Sequence, residues 1–118
     1  MGAVTVAVSK KSVGAYVPAG KCVLADITFS ASYATGGDTY TAAQFGMSKV
    51  DLVVPVGPAV ASATSGFDVM PDTANLKLRL LGMNAAAGVG NALTEVANAS
   101  NQSAVVARCL VYGDNPHV

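Results

Sequence analysis

The residue types that most often perform catalysis are few in this 118-residue chain, and they are widely separated. The single histidine, His117, is the second-last residue of the sequence, whereas a hydrolytic triad needs a histidine that a third group holds in place. Cys22 and Cys109 are the two cysteines, and with His117 they do not form the clustered, short spacings of a zinc site. We therefore predict neither nucleophilic catalysis nor a bound metal.

Other catalytic and binding patterns are equally weak. The seven acidic residues are scattered, so no two of them are placed like the opposed carboxylates of a glycosidase, and we expect solvated surface charges. Gly88-Val89-Gly90 lacks the third glycine and the βαβ context of a dinucleotide loop. The triplets that begin at Asn98 and Asn101 match the N-glycosylation pattern, but we interpret them as a polar turn. The sequence thus predicts a protein that is not an enzyme and has no cofactor.

The composition points to contacts with other proteins. Apolar residues make up 52% of the chain and charged residues only 12%, and 21 Ala and 18 Val supply most of the apolar share. A single domain of this size, 1–118, buries only about two-thirds of the surface of its unfolded chain, so part of the apolar surface needs a partner. The formal net charge is zero, which disfavours nucleic acid and anionic membranes as partners. Neither a secretory signal nor a long apolar span is evident, so we expect a product made in the cytoplasm.

The elements that would position any site are short strands. Alternation of apolar and polar residues predicts strands at 3–9, 21–33, 49–56 and 76–80, with Val50, Leu52, Val54 and Val56 on one face of the third. Residues 60–64 and 66–70 predict a hairpin, with a turn near Pro71 and Asp72, and 92–97 is interpreted as a strand although helical spacing also fits. Residues 104–112 are apolar on nearly both faces, which predicts a central strand or one covered by a partner.

Two long loops separate the first strands, at 10–20 and 33–47. Within the second, Thr41 and Gln44 have the spacing of a capping box and Gly46 follows, which predicts a single helical turn. Pro55 indicates an edge strand or a strand end. The expected fold is all-β, a single-domain β-sandwich or barrel, jelly-roll-like, of about seven or eight short strands.

Both cysteines lie in apolar, strand-like runs, so we expect buried free thiols, and a bridge between neighbouring strands stays an alternative. The aromatic residues Tyr33, Tyr40 and Phe45 flank a glycine turn; they either anchor a long loop, which we favour, or line a sugar-binding or protein-binding patch.

Several segments, taken in order, resemble a family of small head proteins of tailed bacteriophages, the capsid decoration or cement proteins. The matching features are Val-Ser-Lys-Lys-Ser-Val at 8–13, the run from Asp26 to Asp38, Phe45-Gly46-Met47, the run from Leu93 to Ala99, and the closing strand through Arg108. They span most of the chain, although none is a catalytic signature. The region 54–70, rich in Ala, Val and Pro, departs from the family pattern.

The resemblance implies a virion protein on the outer capsid surface that bridges capsid subunits. Its implied partners are the major capsid protein and copies of itself, with a trimer favoured. Because aromatic residues are favoured in interface cores, the candidate contact residues are Val13, Tyr16, Val17, Tyr33, Tyr40, Phe45 and Tyr112. Two alternatives remain open: a carbohydrate-binding or adhesin-like module on a phage surface, and a head-completion or tail protein.

Overall fold

The structure is a computed structural model, which describes residues 2–10, 20–62, 65–83 and 93–114. These residues form nine β-strands and one short 3-10 helix, which confirms the predicted all-β class. The helix covers Ala42–Phe45. The strands are β1 (Thr5–Lys10), β2 (Gly20–Thr28), β3 (Asp38–Thr39), β4 (Lys49–Pro55), β5 (Ala59–Ser62), β6 (Ser65–Asp72), β7 (Lys77–Met83), β8 (Leu93–Glu95) and β9 (Val106–Asp114).

The nine strands belong to one sheet, in the order β1-β2-β9-β5-β6-β7-β3. Strand β4 pairs with β9 beside β5, and β8 pairs with β7. A parallel bridge between Ala3 and Thr39 then joins the segment before β1 to β3, and Val4 N donates to Thr39 O at 2.9 Å. The pairing order therefore returns to its starting point, and the sheet wraps around a single core.

Strand β9 is central, as its two apolar faces predicted. It pairs along its whole length with β2 on one side, and with β4 and β5 on the other. Alternate residues of β2 and β9 point inwards because side chains in a strand alternate between the two faces. These inward side chains pack in one core with β7 and the loop after β2. The largest fully buried apolar side chains of the core are Ile27, Val23, Val105, Val111, Leu78, Leu80, Tyr33, Tyr40 and Phe45.

Strand β4 corrects one prediction. The residues Val50, Leu52 and Val54 were expected to share a face, but the structure buries Val50 and Val53 and exposes Leu52 and Val54. The register of β4 against β9 shifts between Val50 and Leu52. An extra residue at such a β-bulge turns all the following side chains to the opposite face. The strand ends at Pro55, as expected for a residue that cannot donate a ladder hydrogen bond.

The second half of the sheet is built from hairpins. Strands β5 and β6 form the predicted hairpin, with Ala59 opposite Phe67. The next turn lies slightly later than predicted, because β6 continues to Asp72 and the turn occupies 73–76. The Asp72 carboxylate stabilises this turn by accepting hydrogen bonds from Asn75 N at 3.3 Å and Asn75 Nδ2 at 2.9 Å. Strand β8 confirms the strand interpretation of 92–97 for residues 93–95, whereas 96–97 are not in a strand.

The predicted helical turn is confirmed at its expected place. Thr41 N donates to Gln44 Oε1 at 2.9 Å, and Gly46 ends the turn with a left-handed φ of 69°. This turn and β3 both lie within the segment 33–47, which is therefore partly regular. The other predicted loop, 10–20, lies outside the described residues except at its two ends.

The two cysteines are buried free thiols that occupy opposite faces of the sheet. Cys22 pairs with Tyr112, which points outwards, whereas Cys109 pairs with Ala25, which points into the core. A disulfide needs the two Cβ atoms to approach within about 4.5 Å, and side chains on opposite faces of a sheet cannot do so. The free-thiol prediction is confirmed.

Candidate protein-interaction face

The outer side of β9 and its neighbours carries an apolar surface with one charged residue of β9, Arg108, within it. Leu52 lies opposite Tyr112, and Val54 lies opposite Leu110, on the side of the sheet away from the core. Further along β9, Val60 of β5 lies opposite Val106. We define the outer apolar face as these residues together with Val56, which follows β4. The exposed members of this face are Leu52, Val54, Val56, Val60 and Tyr112. Its half-buried members are Val106 and Leu110.

The β-bulge in β4 creates this surface. Without the shift between Val50 and Leu52, strict alternation would place Leu52 and Val54 on the same side as the buried Val50. Leu52 is 49% exposed, Val56 49% and Val60 46%, so these side chains contact water over about half their area. A contiguous exposed apolar patch of this kind typically marks a protein contact or a ligand groove.

One ion pair lies on the same side of the sheet, between Val106 and Leu110 of the outer apolar face. Arg108 of β9 and Asp26 of β2 are cross-strand partners, and the guanidinium donates from Nε to Asp26 Oδ1 at 2.9 Å and from Nη2 to Oδ2 at 3.2 Å. The hydrogen bond from Arg108 holds the pKa of Asp26 below its usual value. The two charges compensate each other, so the outer sheet surface presents apolar area and a neutral polar pair.

The structure places three of the predicted contact residues in the core. Tyr33, Tyr40 and Phe45 are 0%, 2% and 1% exposed, so their side chains do not form a surface patch. The rings of Tyr40 and Phe45 meet edge to face at a centroid distance of 5.8 Å, and Phe29 packs at 6.4 Å from Tyr33. The surface role assigned to these three side chains is therefore corrected, and the loop-anchoring role that we favoured accounts for their burial.

Tyr112 is 38% exposed and lies within the outer apolar face. Among the predicted contact residues that lie in the described part of the chain, Tyr112 is the one exposed to solvent. The remaining three, Val13, Tyr16 and Val17, lie outside the described residues.

A polar network holds the loop that follows β2. Tyr33 Oη donates to Glu95 Oε2 at 2.6 Å and accepts from Leu80 N at 3.0 Å, and Gly36 N also donates to Glu95 Oε2, at 2.7 Å. Burial, with a smaller contribution from Glu95, raises the pKa of Tyr33, so its hydroxyl stays protonated and remains a donor. The network fixes the loop against β7 and β8.

The acidic residues were predicted to be solvated, and Asp38 contradicts this. Its side chain is fully buried and accepts hydrogen bonds from Ser30 N at 2.9 Å and Ala34 N at 3.1 Å. These bonds also explain why β2 ends at Thr28 and does not continue to 33 as predicted, because the backbone at Ser30 bonds to a side chain. Sequence reasoning missed this role; the one available signal was the position of Asp38 just after two glycines.

The triplets at Asn98 and Asn101 lie in turns, which confirms the polar-turn interpretation. Asn98 Oδ1 accepts from Thr35 N at 3.1 Å, and Ser103 N donates to Asn101 Oδ1 at 3.0 Å. A shallow depression of about 180 Å³ lies nearby, lined by Ser32, Tyr33, Ala34, Asn98 and Ala99. Backbone groups and the Asn98 amide line this depression, and the lining residues do not place a nucleophile beside a base.

The described ranges contain neither of two further features. No group of three or more histidine, cysteine or acidic side chains is placed to hold a metal ion there. Among the same residues, no helix is long and apolar enough to cross a membrane. No protein-family model, curated protein or solved structure matches this chain.

Proposed function

We propose that this protein is a non-enzymatic structural subunit that decorates the outer surface of a tailed-phage capsid and reinforces the shell by bridging capsid subunits. The outer apolar face carries the proposal, since Leu52, Val54 and Tyr112 expose apolar area that a partner would cover. The family resemblance supplies the kind of partner, the major capsid protein with further copies of this chain.

The composition supports an assembly role independently. A chain that is 52% apolar and 12% charged has few side chains with which to solvate its surface. Removal of apolar surface from water contributes about 25 cal/mol per Å², so covering even part of the outer apolar face stabilises a complex. The compensated pair formed by Arg108 and Asp26 lies within this face and adds no net charge to it.

A shell gains strength from many such contacts acting together. Each subunit that bridges several capsid proteins makes its later contacts at high effective concentration, because the first contact already holds it in place. Individually modest interfaces then resist separation jointly. This mechanism uses binding alone, which is consistent with a rigid, strand-based scaffold.

Co-sedimentation with capsid shells of the phage that encodes the chain tests the proposal. We expect saturable binding at a fixed number of copies per capsid protein, with expanded shells preferred over unexpanded ones. Leu52→Asp should weaken binding by about tenfold or more, because burying a leucine side chain contributes about 1.5–3 kcal/mol. The matched control is Leu76→Asp, which alters an exposed leucine side chain (38% against 49%) in the turn between β6 and β7, outside the residues that define the outer apolar face.

Three outcomes would overturn the proposal or its assigned surface. Absence of binding to either shell refutes decoration, and binding to glycans on an array would then support the adhesin-like alternative. Assembly of the free protein into rings that attach at a head or tail vertex would support the head-completion or tail alternative. Equal losses of binding for Leu52→Asp and Leu76→Asp would retain the decoration role and refute the outer apolar face as the contact surface.

A further inference from the structure

The sequence of β4 fits two registers against β9, and the observed register is the one that exposes the outer apolar face. Every second residue from Val50 to Val56 is a large apolar one, which is the pattern of a single buried face. The structure interrupts this pattern with the bulge after Val50, so that Leu52 pairs with Tyr112 and is exposed. Without the bulge, every later residue of β4 would move by one position, and Leu52 would pair with Val111.

The arrangement without the bulge, named the straight register, would reverse the exposure of the strand. Residues opposite each other in antiparallel strands lie on the same face of the sheet, and Val111 and Cys109 are fully buried in the core. Leu52 and Val54 would lie opposite them and turn inwards, whereas Val53 would turn outwards. Burial of apolar surface by itself therefore favours the straight register, and the observed, bulged register needs a further cause.

Pro55 is compatible with the bulged register. The carbonyl oxygen of Arg108 points towards β4 and accepts a hydrogen bond from Val56 N at 2.7 Å. The backbone groups of successive strand residues point to opposite edges, so the nitrogen of Pro55, the preceding residue, points away from β9. Among the described residues β4 pairs with β9 alone, so the missing N–H of Pro55 removes no ladder hydrogen bond at that free edge.

The straight register would place Pro55 where a donor is needed. Pro55 pairs with Cys109 in the structure, so a shift by one residue would bring it opposite Arg108. Its ring nitrogen would then face the Arg108 carbonyl oxygen with no hydrogen to donate, and its ring would fill the space of the lost hydrogen bond. A backbone acceptor that loses its donor within a sheet destabilises the pairing. Pro55 thus opposes the register that apolar burial favours.

The chain that follows β4 has room for a shift of one residue. Gly57 comes directly after Val56 and has a left-handed φ of 80°. A Cβ atom built on Gly57 would meet no atom of the described residues within 4 Å. Because β4 has one described partner strand, a slip of β4 would exchange its pairing with β9 and leave the other strand pairs in place.

We propose that Pro55 selects the bulged register of β4 and thereby keeps Leu52 and Val54 on the outer apolar face. A slip to the straight register withdraws these two side chains, so a partner that covers them binds the bulged register. This consequence for docking rests on the proposed function, whereas the register is a property of the free chain. Pro55 is a positioning residue: it lies opposite the inward-pointing Cys109 and acts through the Arg108 carbonyl, without contact to a partner on the outer side.

Nuclear Overhauser contacts between α-hydrogens of β4 and β9 measure the register of the free protein. Opposed residues of a non-hydrogen-bonded pair approach to about 4.5 Å between Cα atoms. The native chain should show the contact of Val53 with Val111. Pro55→Ala should shift the equilibrium towards the straight register by about tenfold or more, as for one buried hydrogen bond, and should show the contact of Leu52 with Val111. Contacts unchanged from the native chain would overturn the proposal and leave core packing as the cause of the bulge.

Pro58→Ala is the matched control, because Pro58 lies after β4 and outside its pairing with β9. Both substitutions free the unfolded chain in the same way, so an equal shift of register for Pro58→Ala would refute the specific role of Pro55. Pro55→Val repeats the test with a residue that favours strands, which covers the case in which Pro55→Ala does not fold.

Deletion of Asp51, the extra residue of the bulge, gives a second and independent test. The shortened strand keeps Leu52 opposite Tyr112 and needs no bulge to do so. In this chain Pro55→Ala should leave the register unchanged, because the straight register that buries Leu52 is no longer reached by removing a bulge. A contact of Leu52 with Val111 in the double variant would contradict the two-register explanation.

Co-sedimentation with capsid shells distinguishes failure of this inference from failure of the proposed function. Pro55→Ala should weaken binding in proportion to its loss of the bulged register, whereas Pro58→Ala should bind as the native chain does. A register shift in Pro55→Ala, combined with no binding by the native chain, would refute decoration and retain the role of Pro55. Full binding by a chain that holds the straight register would refute control of docking by the register.

Discussion

The hydroxyl of Tyr33 donates to Glu95 Oε2 at 2.6 Å, across a separation of 62 residues in the sequence. The same oxygen atom of Tyr33 accepts from Leu80 N, so one buried hydroxyl joins the loop after β2 to both β7 and β8. A buried donor or acceptor that loses its partner destabilises the fold by more than the hydrogen bond stabilises it. Removal of this hydroxyl is therefore expected to lower the stability of the protein.

Tyr33→Phe should lower the free energy of unfolding by about 1–3 kcal/mol, because it removes the acceptor of Leu80 N and a donor to Glu95. Urea unfolding monitored by circular dichroism measures the change. The matched control is Tyr40→Phe, since Tyr40 Oη is buried and has no hydrogen-bond partner in the described part of the chain. We expect this control to be neutral or slightly stabilising. If Tyr40→Phe lowered the free energy of unfolding as much as Tyr33→Phe, the stabilising role assigned to the Tyr33 hydroxyl would be contradicted.

Gly113→Ala should destabilise the pairing of β4 with β9. A Cβ atom at this position would overlap the carbonyl oxygen of Lys49 and would lie 2.7 Å from Met47 Sδ. Overpacking of this kind costs about 1–3 kcal/mol, and backbone cannot move aside as a flexible side chain does. Thermal unfolding should show a lower midpoint. Gly66→Ala is the control, because the nearest atom to its new Cβ would be Pro58 Cβ at 3.9 Å. An equal fall in the unfolding midpoint for Gly66→Ala would refute overpacking as the cause.

The ion pair of Asp26 and Arg108 should contribute to stability in a pH-dependent way. Arg108 lowers the pKa of Asp26 in the folded protein, so the contribution is present above the unfolded value of about 3.9 and is lost as the pH falls through the folded value. The difference in stability between the native chain and Asp26→Asn should therefore vanish at low pH. Both side chains are partly exposed, so added salt should also reduce it. A difference that is independent of pH would exclude the ion pair as its source.

The thiol of Cys109 should be unreactive in the folded protein. Burial raises its pKa to about 12, so the reactive thiolate is scarce at pH 8, and the side chain is 0% exposed. Labelling by a soluble thiol reagent should be slow in buffer and should become fast across the urea transition. Mass spectrometry without reductant should find both cysteines free. Rapid labelling of Cys109 in buffer would show that this part of the core opens locally.

Local patterns predicted much of the fold. Alternation along 21–33 predicted β2 as a strand, because successive side chains of a strand point to opposite faces whatever its partners are. The capping residues Thr41 and Gln44 predicted the helical turn, since their hydrogen bonds span only three residues. The apolar character of both faces of 104–112 predicted a strand that is central or covered by a partner. Strand β9 is central in the sheet, and its outer face stays partly exposed.

The tertiary structure decided the features that depend on distant partners. The bulge that exposes Leu52 arises from the register of β4 against β9, and no local pattern marks it. The burial of Asp38 and the bond from Tyr33 to Glu95 likewise depend on strands that the fold brings together from far along the chain. The sequence by itself predicted most of the strands, because the alternation that marks them follows from interactions between near neighbours. The candidate interaction face and the buried polar groups required the folded sheet, because only pairing across long separations selects their neighbours.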